Sequence, residues 1–152
     1  MNESLVRRLL GFGIVATMTV ASSFAAAESV VEGRTAQDRR YIAGGIGLEE
    51  SGQMKAAAGD FPLAITVTAK SGAYLADSQI RIEDAQGKVV LETKVEAPYL
   101  LVDLAPGRYK VDATLQGQRQ TRSVDIAATA TARIAFSFDV PVDRVPESPP
   151  VK

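Results

Sequence analysis

The sequence contains no cysteine, no histidine and no tryptophan among its 152 residues. Each absence removes a class of chemistry. Without cysteine there is neither a disulfide framework nor a thiol nucleophile. Without histidine there is no serine–histidine dyad, and with neither residue an ordinary zinc site lacks its ligands. Charge of one sign is missing too: 17 basic residues stand against 18 acidic ones. No basic stripe of the kind that grips nucleic acid is present, and no polybasic segment suits a membrane surface. Oxygen ligands could still hold calcium, but no repeated Asp/Gly loop occurs. The residues point to no metal and no cofactor.

Long apolar runs are equally scarce. One uncharged, mostly apolar stretch covers residues 9–24, behind Arg7 and Arg8 and ahead of Ala25, Ala26 and Ala27. A positive start, a short apolar run and small residues at its end read as a secretory signal peptide, residues 1–27. The run is short of the roughly 20 apolar residues a spanning helix needs, and Gly11, Gly13, Thr17 and Thr19 dilute it further. The general secretory route fits better than the twin-arginine route, which only the arginine pair resembles. The expectation is an exported, periplasmic chain, near neutral and without stable membrane insertion after cleavage.

Four zones follow. Residues 28–40 are polar and aperiodic, a flexible lead. Residues 41–60 form a Gly-rich element with a short helix over 48–58, where Glu49 and Glu50 precede Lys55 as the helix dipole favours, and Gly59 is placed to end it. Residues 141–152 hold four prolines and read as a disordered tail. Between them, residues 61–140 alternate apolar and polar side chains with period two. Leu63, Ile65 and Val67 form one such set, and Ile80 with Ile82 a second. Others are Val89 with Leu91, Leu100 with Val102, Tyr109 through Leu115, Val124 with Ile126, and Ile134 through Phe138. Turn residues separate them, as at 84–87 and at Pro106-Gly107. Seven short strands at this spacing indicate an all-β sandwich. For the 109–126 hairpin, a four-residue loop at 116–119 keeps both faces matched, with Tyr109 opposite Ile126 and Lys110 opposite Asp125. A two-residue loop would set Arg122 opposite Val111 in the core.

Gly87-Lys88-Val89-Val90 followed by Leu104-Ala105-Pro106-Gly107-Arg108-Tyr109-Lys110-Val111 resembles the carboxypeptidase regulatory-like (transthyretin-like) β-sandwich. The resemblance implies a seven-stranded, antiparallel, Ig-like or prealbumin-like sandwich with one short N-terminal helix. Its structural motif residues are Gly87, Leu104, Pro106, Gly107, Tyr109 and Val111. Physically, Pro106-Gly107 reverses the chain, Leu104 and Tyr109 enter the core from both sides, and the Tyr109 hydroxyl stays bonded at the rim. Glu96-Ala97-Pro98-Tyr99 replaces the usual Asp-Gly-aromatic element, and Pro98 reads as a sheet edge or strand start. Residues 41–47 are similar to a lead-in of small exported proteobacterial proteins with such a domain, which carry no known activity.

No constellation of residues points to catalysis. Gly44-Gly45-Ile46-Gly47 lacks the surroundings of a phosphate loop. Glu49-Glu50, Glu83-Asp84, Asp77 and Asp103 are carboxylates that no spacing gathers around a cleft. The hydrolases among transthyretin-like proteins use histidines, and this chain has none. Arg81, Arg108, Lys110 and Arg133 interleave with Glu83, Asp112 and Asp139, as on a solvated mixed-charge face. The expectation is a non-enzymatic interaction or structural module of the cell envelope whose partner is another envelope protein. It would bind through an edge strand or through loops 70–74, 84–87 and 93–99. Helix 48–58 either covers the sandwich or binds the partner. The alternatives are an envelope enzyme or small-ligand carrier using carboxylate, Lys or Tyr groups, and a subunit of a cell-surface assembly.

Overall fold

The protein is described from a computed structural model over residues 30–141. The segment expected to be a signal peptide and almost all of the Pro-rich tail lie outside the described residues. In chain order the elements are β1 (Val31–Arg34), β2 (Arg40–Gly44), α1 (Leu48–Ala57), β3 (Leu63–Ala69), β4 (Ser78–Asp84) and β5 (Val89–Val95). Then follow β6 (Tyr99–Val102), β7 (Gly107–Leu115), β8 (Gln118–Ile126) and β9 (Ala132–Phe138). They build two sheets, ordered β1-β2-β6-β3-β9 and β5-β4-β7-β8. Period-two alternation turns one face of each sheet inward. Leu63, Ile65, Leu100, Val102, Phe136 and Phe138 meet Ile80, Ile82, Val111, Ala113 and Val124 in a single core. The result is an all-β, sandwich-like fold with one short helix.

The outer face of the five-stranded sheet carries a second apolar layer. Met54 and Ala58 pack with Phe61 onto Ile42, Ala64, Tyr99 and Leu101. The helix therefore covers the sheet. Because both faces are covered, all four residues of β6 are buried, and Pro98 stands at a strand start rather than a sheet edge. The helix ends differently from the sequence expectation: α1 stops at Ala57 and tightens into a 3₁₀ turn over Ala58–Asp60, so Gly59 does not terminate it. At the other end the Ser51 hydroxyl donates to the Gly45 carbonyl at 2.6 Å, and the Ile46 N–H donates to Glu50 at 2.7 Å.

Three expectations need correction. Among the described residues there are nine strands rather than seven, because β1 lies in the supposed flexible lead and β2 in the Gly-rich element. Strand β1 carries exposed side chains at three of its four positions and is held by backbone pairing with β2, which leaves no apolar alternation to detect. The sheets are not wholly antiparallel, since β3 and β9 run parallel. The β7–β8 hairpin has the two-residue loop: Tyr109 pairs with Val124 and Val111 with Arg122. Gln116 at φ 48° and Gly117 at φ 79° supply the left-handed pair that such a turn requires.

Arg122 does not enter the core. It is exposed, and its guanidinium lies over the Phe136 ring, 5.7 Å from the centroid. The inward positions beside it are polar for a related reason. Gln118 and Gln120 amides donate to the β9-side carbonyls of Asp139 and Ser137, at 2.8 and 2.5 Å. This side of the sandwich, where β8 and β9 are the sheet edges, is thus sealed by side chains.

One contact fixes how the Gly-rich segment meets the sheet. Gly45 adopts φ 105°, and a Cβ there would collide with the Tyr99 ring. Gly52, within α1, has nothing within 4 Å of an added Cβ. Gly45→Ala should therefore cost about 2–4 kcal/mol, from strain plus overpacking. Gly52→Ala should gain about 0.5–1 kcal/mol of helix propensity. Urea denaturation of the two variants checks both signs.

Candidate functional site

The side of the sandwich opposite the glutamine seal is open. Here β1–β2 of one sheet and β5 of the other border a groove of about 430 Å³. Val31, Tyr41, Ala43 and Ile46 form one wall, and Thr93 through Ala97 the other. Alternation along β1 and β2 places Val31, Tyr41 and Ala43 on the inward face, while the turn after Gly44 brings Ile46 back alongside them. Backbone contact closes the groove near the β1–β2 turn, where the Ala36 N–H donates to the Val90 carbonyl at 2.8 Å. Thr35 shapes that turn by accepting the N–H groups of Gln37 and Arg39 on its hydroxyl.

The groove is apolar with a charged rim. Val31 is 59% exposed and Ile46 56% exposed. The neighbouring Val30 and Leu48 are also exposed, so these two short segments carry four of the five exposed large apolar side chains among the described residues. Lys94 spans the rim, 3.3 Å from both Asp77 and Glu96. Hydrogen bonds to Asp77 and then Glu96 raise its pKa above the usual lysine value. A nucleophilic amine needs the opposite shift; this one is held as a cation. The groove can take up an apolar side chain and pair a charge beside it.

The other ionisable clusters are arranged for structure. On the outer face of the four-stranded sheet, Glu83 accepts from Lys110 at 3.0 Å and from Arg81 at 2.9 Å. Hydrogen bonding to Lys110 is the largest influence on Glu83, and its pKa is lowered. Asp112 is buried on this otherwise wet face, bonded to Arg119 and to the Thr121 hydroxyl at 2.5 Å. Burial alone would raise its pKa, but Thr121 and Arg119 outweigh that and hold it low. Arg108 and Asp125 pair at 2.9 Å. The charges of the four-stranded sheet are therefore satisfied pairs, whereas Arg133 and Asp139, expected on the same face, lie with the other sheet.

Lys55, Tyr74 and Tyr99 form a third group. The tyrosine rings lie 5.3 Å apart, and the Lys55 ammonium is 5.8 Å from the Tyr74 ring centre. The Tyr99 hydroxyl, then Lys55, favour the Tyr74 phenolate and lower its pKa, whereas burial pushes Tyr99 upward. Tyr74 is 47% exposed and belongs to neither principal hollow.

The six sequence-singled motif residues scatter. Leu104 and Val111 are core, and Tyr109 buries its ring while its hydroxyl donates to the Ala105 carbonyl at 2.8 Å. Pro106 bends the chain as it crosses from one sheet to the other, and Gly107 is already the first residue of β7, so the pair does not form the tight reversal expected of it. Gly87, at φ 79°, closes the 84–87 turn, where the Asp84 carboxylate accepts two backbone N–H groups. Gly87 and Tyr109 share a shallower hollow of about 270 Å³ with Glu83 and Lys110. None of the six lines the groove. Of the loops singled out for binding, 93–99 contributes a wall, whereas 70–74 and 84–87 do not. Val31 carries no motif, and Tyr41 and Ile46 fall in the 41–47 element, whose resemblance implies no activity. Beyond that, their sequence signal is apolar character in segments that read as flexible lead and Gly-rich element. Among the described residues no group of three acidic side chains could hold a metal ion, and no helix is long and apolar enough to cross a membrane.

The chain matches no family model and no curated protein.

The Asp112 cluster yields a test. Its lowered folded-state pKa means its carboxylate stabilises the fold above the ordinary aspartate range and loses that effect as pH falls through the folded value. Stability should drop below about pH 4. Asp112→Asn should cost about 1–3 kcal/mol at pH 7 and flatten the acid limb. Urea denaturation of both proteins between about pH 2 and pH 7 measures both effects.

Proposed function

We propose that the protein is an exported, non-enzymatic interaction module of the cell envelope. Its binding site is the groove between β1–β2 and β5, and its ligand is an apolar segment of another envelope protein. One observation carries this reading: exposed large apolar side chains gather on the two segments bordering the groove. Concentrated exposed apolar surface is characteristic of protein contact sites, and here it is rimmed by the Asp77–Lys94–Glu96 cluster. Export to the periplasm rests on the features of residues 1–27, and the carboxypeptidase regulatory-like assignment rests on the Gly87 and Leu104–Val111 motif. The charge state of Lys94 favours binding over amine catalysis.

In-cell crosslinking of the exported chain tests the proposal. The wild type should give a discrete crosslinked species whose mass differs from that of two copies of the chain. Ile46→Glu, a change at an exposed side chain that leaves the core untouched, should reduce it at least about fivefold with export and circular dichroism unchanged. Arg108→Ala, on the ion-paired outer face, should leave it intact. Persistence of the species in Ile46→Glu, or its absence from the wild type, overturns the assignment of the groove.

A further inference from the structure

We propose that β1 is a self-pairing edge. Two copies of the chain join antiparallel about a two-fold axis at Gly33, with Glu32 of each copy opposite Arg34 of the other. The proposal goes beyond the groove, because it uses the backbone rim of β1 and not the groove lining.

The hydrogen-bond directions leave this rim without a backbone partner among the described residues. The Thr35 N–H donates to the Arg39 carbonyl at 2.8 Å, so Thr35 faces β2. Antiparallel alternation then turns Gly33 and Val31 toward β2 as well, and Glu32 and Arg34 direct their N–H and C=O groups away from the sheet. The far side of β2 agrees, since the Asp103 N–H donates to the Arg40 carbonyl at 2.9 Å, which turns Arg40 away from β1.

The other three sheet edges are blunted. On β5 the Val90 carbonyl accepts from Ala36. Along β9 and just past its end, the Ser137 and Asp139 carbonyls accept from glutamine side chains. On β8 the inward-facing Arg122 lies over Phe136, and an inward charge on an edge strand resists further pairing. Strand β1, at the end of its sheet, is short and carries Glu32 and Arg34, but it has no proline, and no side chain or loop among the described residues covers its rim.

Charge selects the register. A two-fold centred on Glu32 would oppose Glu32 to itself, and one centred on Arg34 would oppose Arg34 to itself. The axis at Gly33 opposes Glu32 to Arg34 twice and creates about four backbone hydrogen bonds. It also relieves a defect within the single copy. Arg34 stands directly across from Arg40, a like-charge pair that destabilises a sheet. Arg40 has the Glu32 carboxylate at 2.8 Å, whereas Arg34 donates to the Asp38 backbone carbonyl at 3.1 Å and reaches that residue's carboxylate only at 3.9 Å. Glu32 of the second copy, which holds its own Arg40 through Oε1, brings a carboxylate that the two arginines can share. Across the axis on the inward face, Gly33 presents no side chain, because a Cβ would run into the Tyr41 ring.

A four-residue edge buries less than a permanent interface requires, so the pair should dissociate with a Kd on the order of 100 μM. Sedimentation equilibrium of the purified exported chain, run up to about 1 mM, tests this. The wild type should dimerise, and Glu32→Arg or Arg34→Glu alone should weaken self-association at least about tenfold. Mixing the two single variants should restore a 1:1 pair. One chain then carries basic side chains at both positions, and these face the two acidic side chains of the other. Restoration on mixing also shows that both variants are folded. Ile46→Glu should leave sedimentation unchanged, which separates this result from that of the groove. A wild type that stays monomeric, single variants that associate normally, or a mixture that does not pair would each overturn the proposal.

Discussion

The structure depends on burying β6 from both sides. Tyr99, Leu100, Leu101 and Val102 are all buried, and a strand can be so only when each face of its sheet has a cover. The second sheet covers Leu100 and Val102. The outward faces of Tyr99 and Leu101 need something else, and α1 supplies it through Met54, with Ala58 just beyond its end. The remaining local geometry follows from that requirement. To lay the helix over the sheet, the chain must turn sharply after β2, and it does so against the Tyr99 ring at Gly45. That turn in turn brings Ile46 beside Val31 at the groove.

The two layers also explain how a small domain without cysteine holds together. A disulfide would stabilise such a chain by restricting its unfolded state. Here a large shared core between the sheets is supplemented by a second apolar layer under the helix. Polar stabilisation is placed outside both layers, in the ion pairs of the four-stranded sheet, where Asp112 is the buried member. Exposed pairs of that kind contribute little individually. Their more important effect is to leave that face without an apolar patch, so that exposed apolar surface is concentrated around the groove.

Much of this was legible in the sequence wherever apolar residues recur at every second position. The seven strands from β3 to β9 follow from that spacing, which Leu100 and Val102 keep even though β6 is buried on both faces, and the helix follows from its charge order. Strands β1 and β2 were not legible, since an edge strand held by backbone bonds and the two-faced strand beside it show no clean alternation. The β7–β8 register misled for a related reason. Matching apolar with apolar assumes that inward means buried, yet Gln118, Gln120 and Arg122 point inward at an edge, where their polar ends bond or stack at the rim. The groove was the least legible feature. Its walls come from residues 31, 41, 43, 46 and 93–97, which only the pairing of β1 with β2, of β2 with β6 and the facing of the two sheets bring together.

The glutamine seal between β8 and β9 has a consequence for assembly. A sandwich with unblunted rims on both sides can stack edge to edge without limit, each newcomer offering a fresh rim to the next. This one has a closed side and an open side. Growth that begins at β1 uses up that rim in both participants, so a couple joined there is closed by its two-fold axis and does not propagate into a filament.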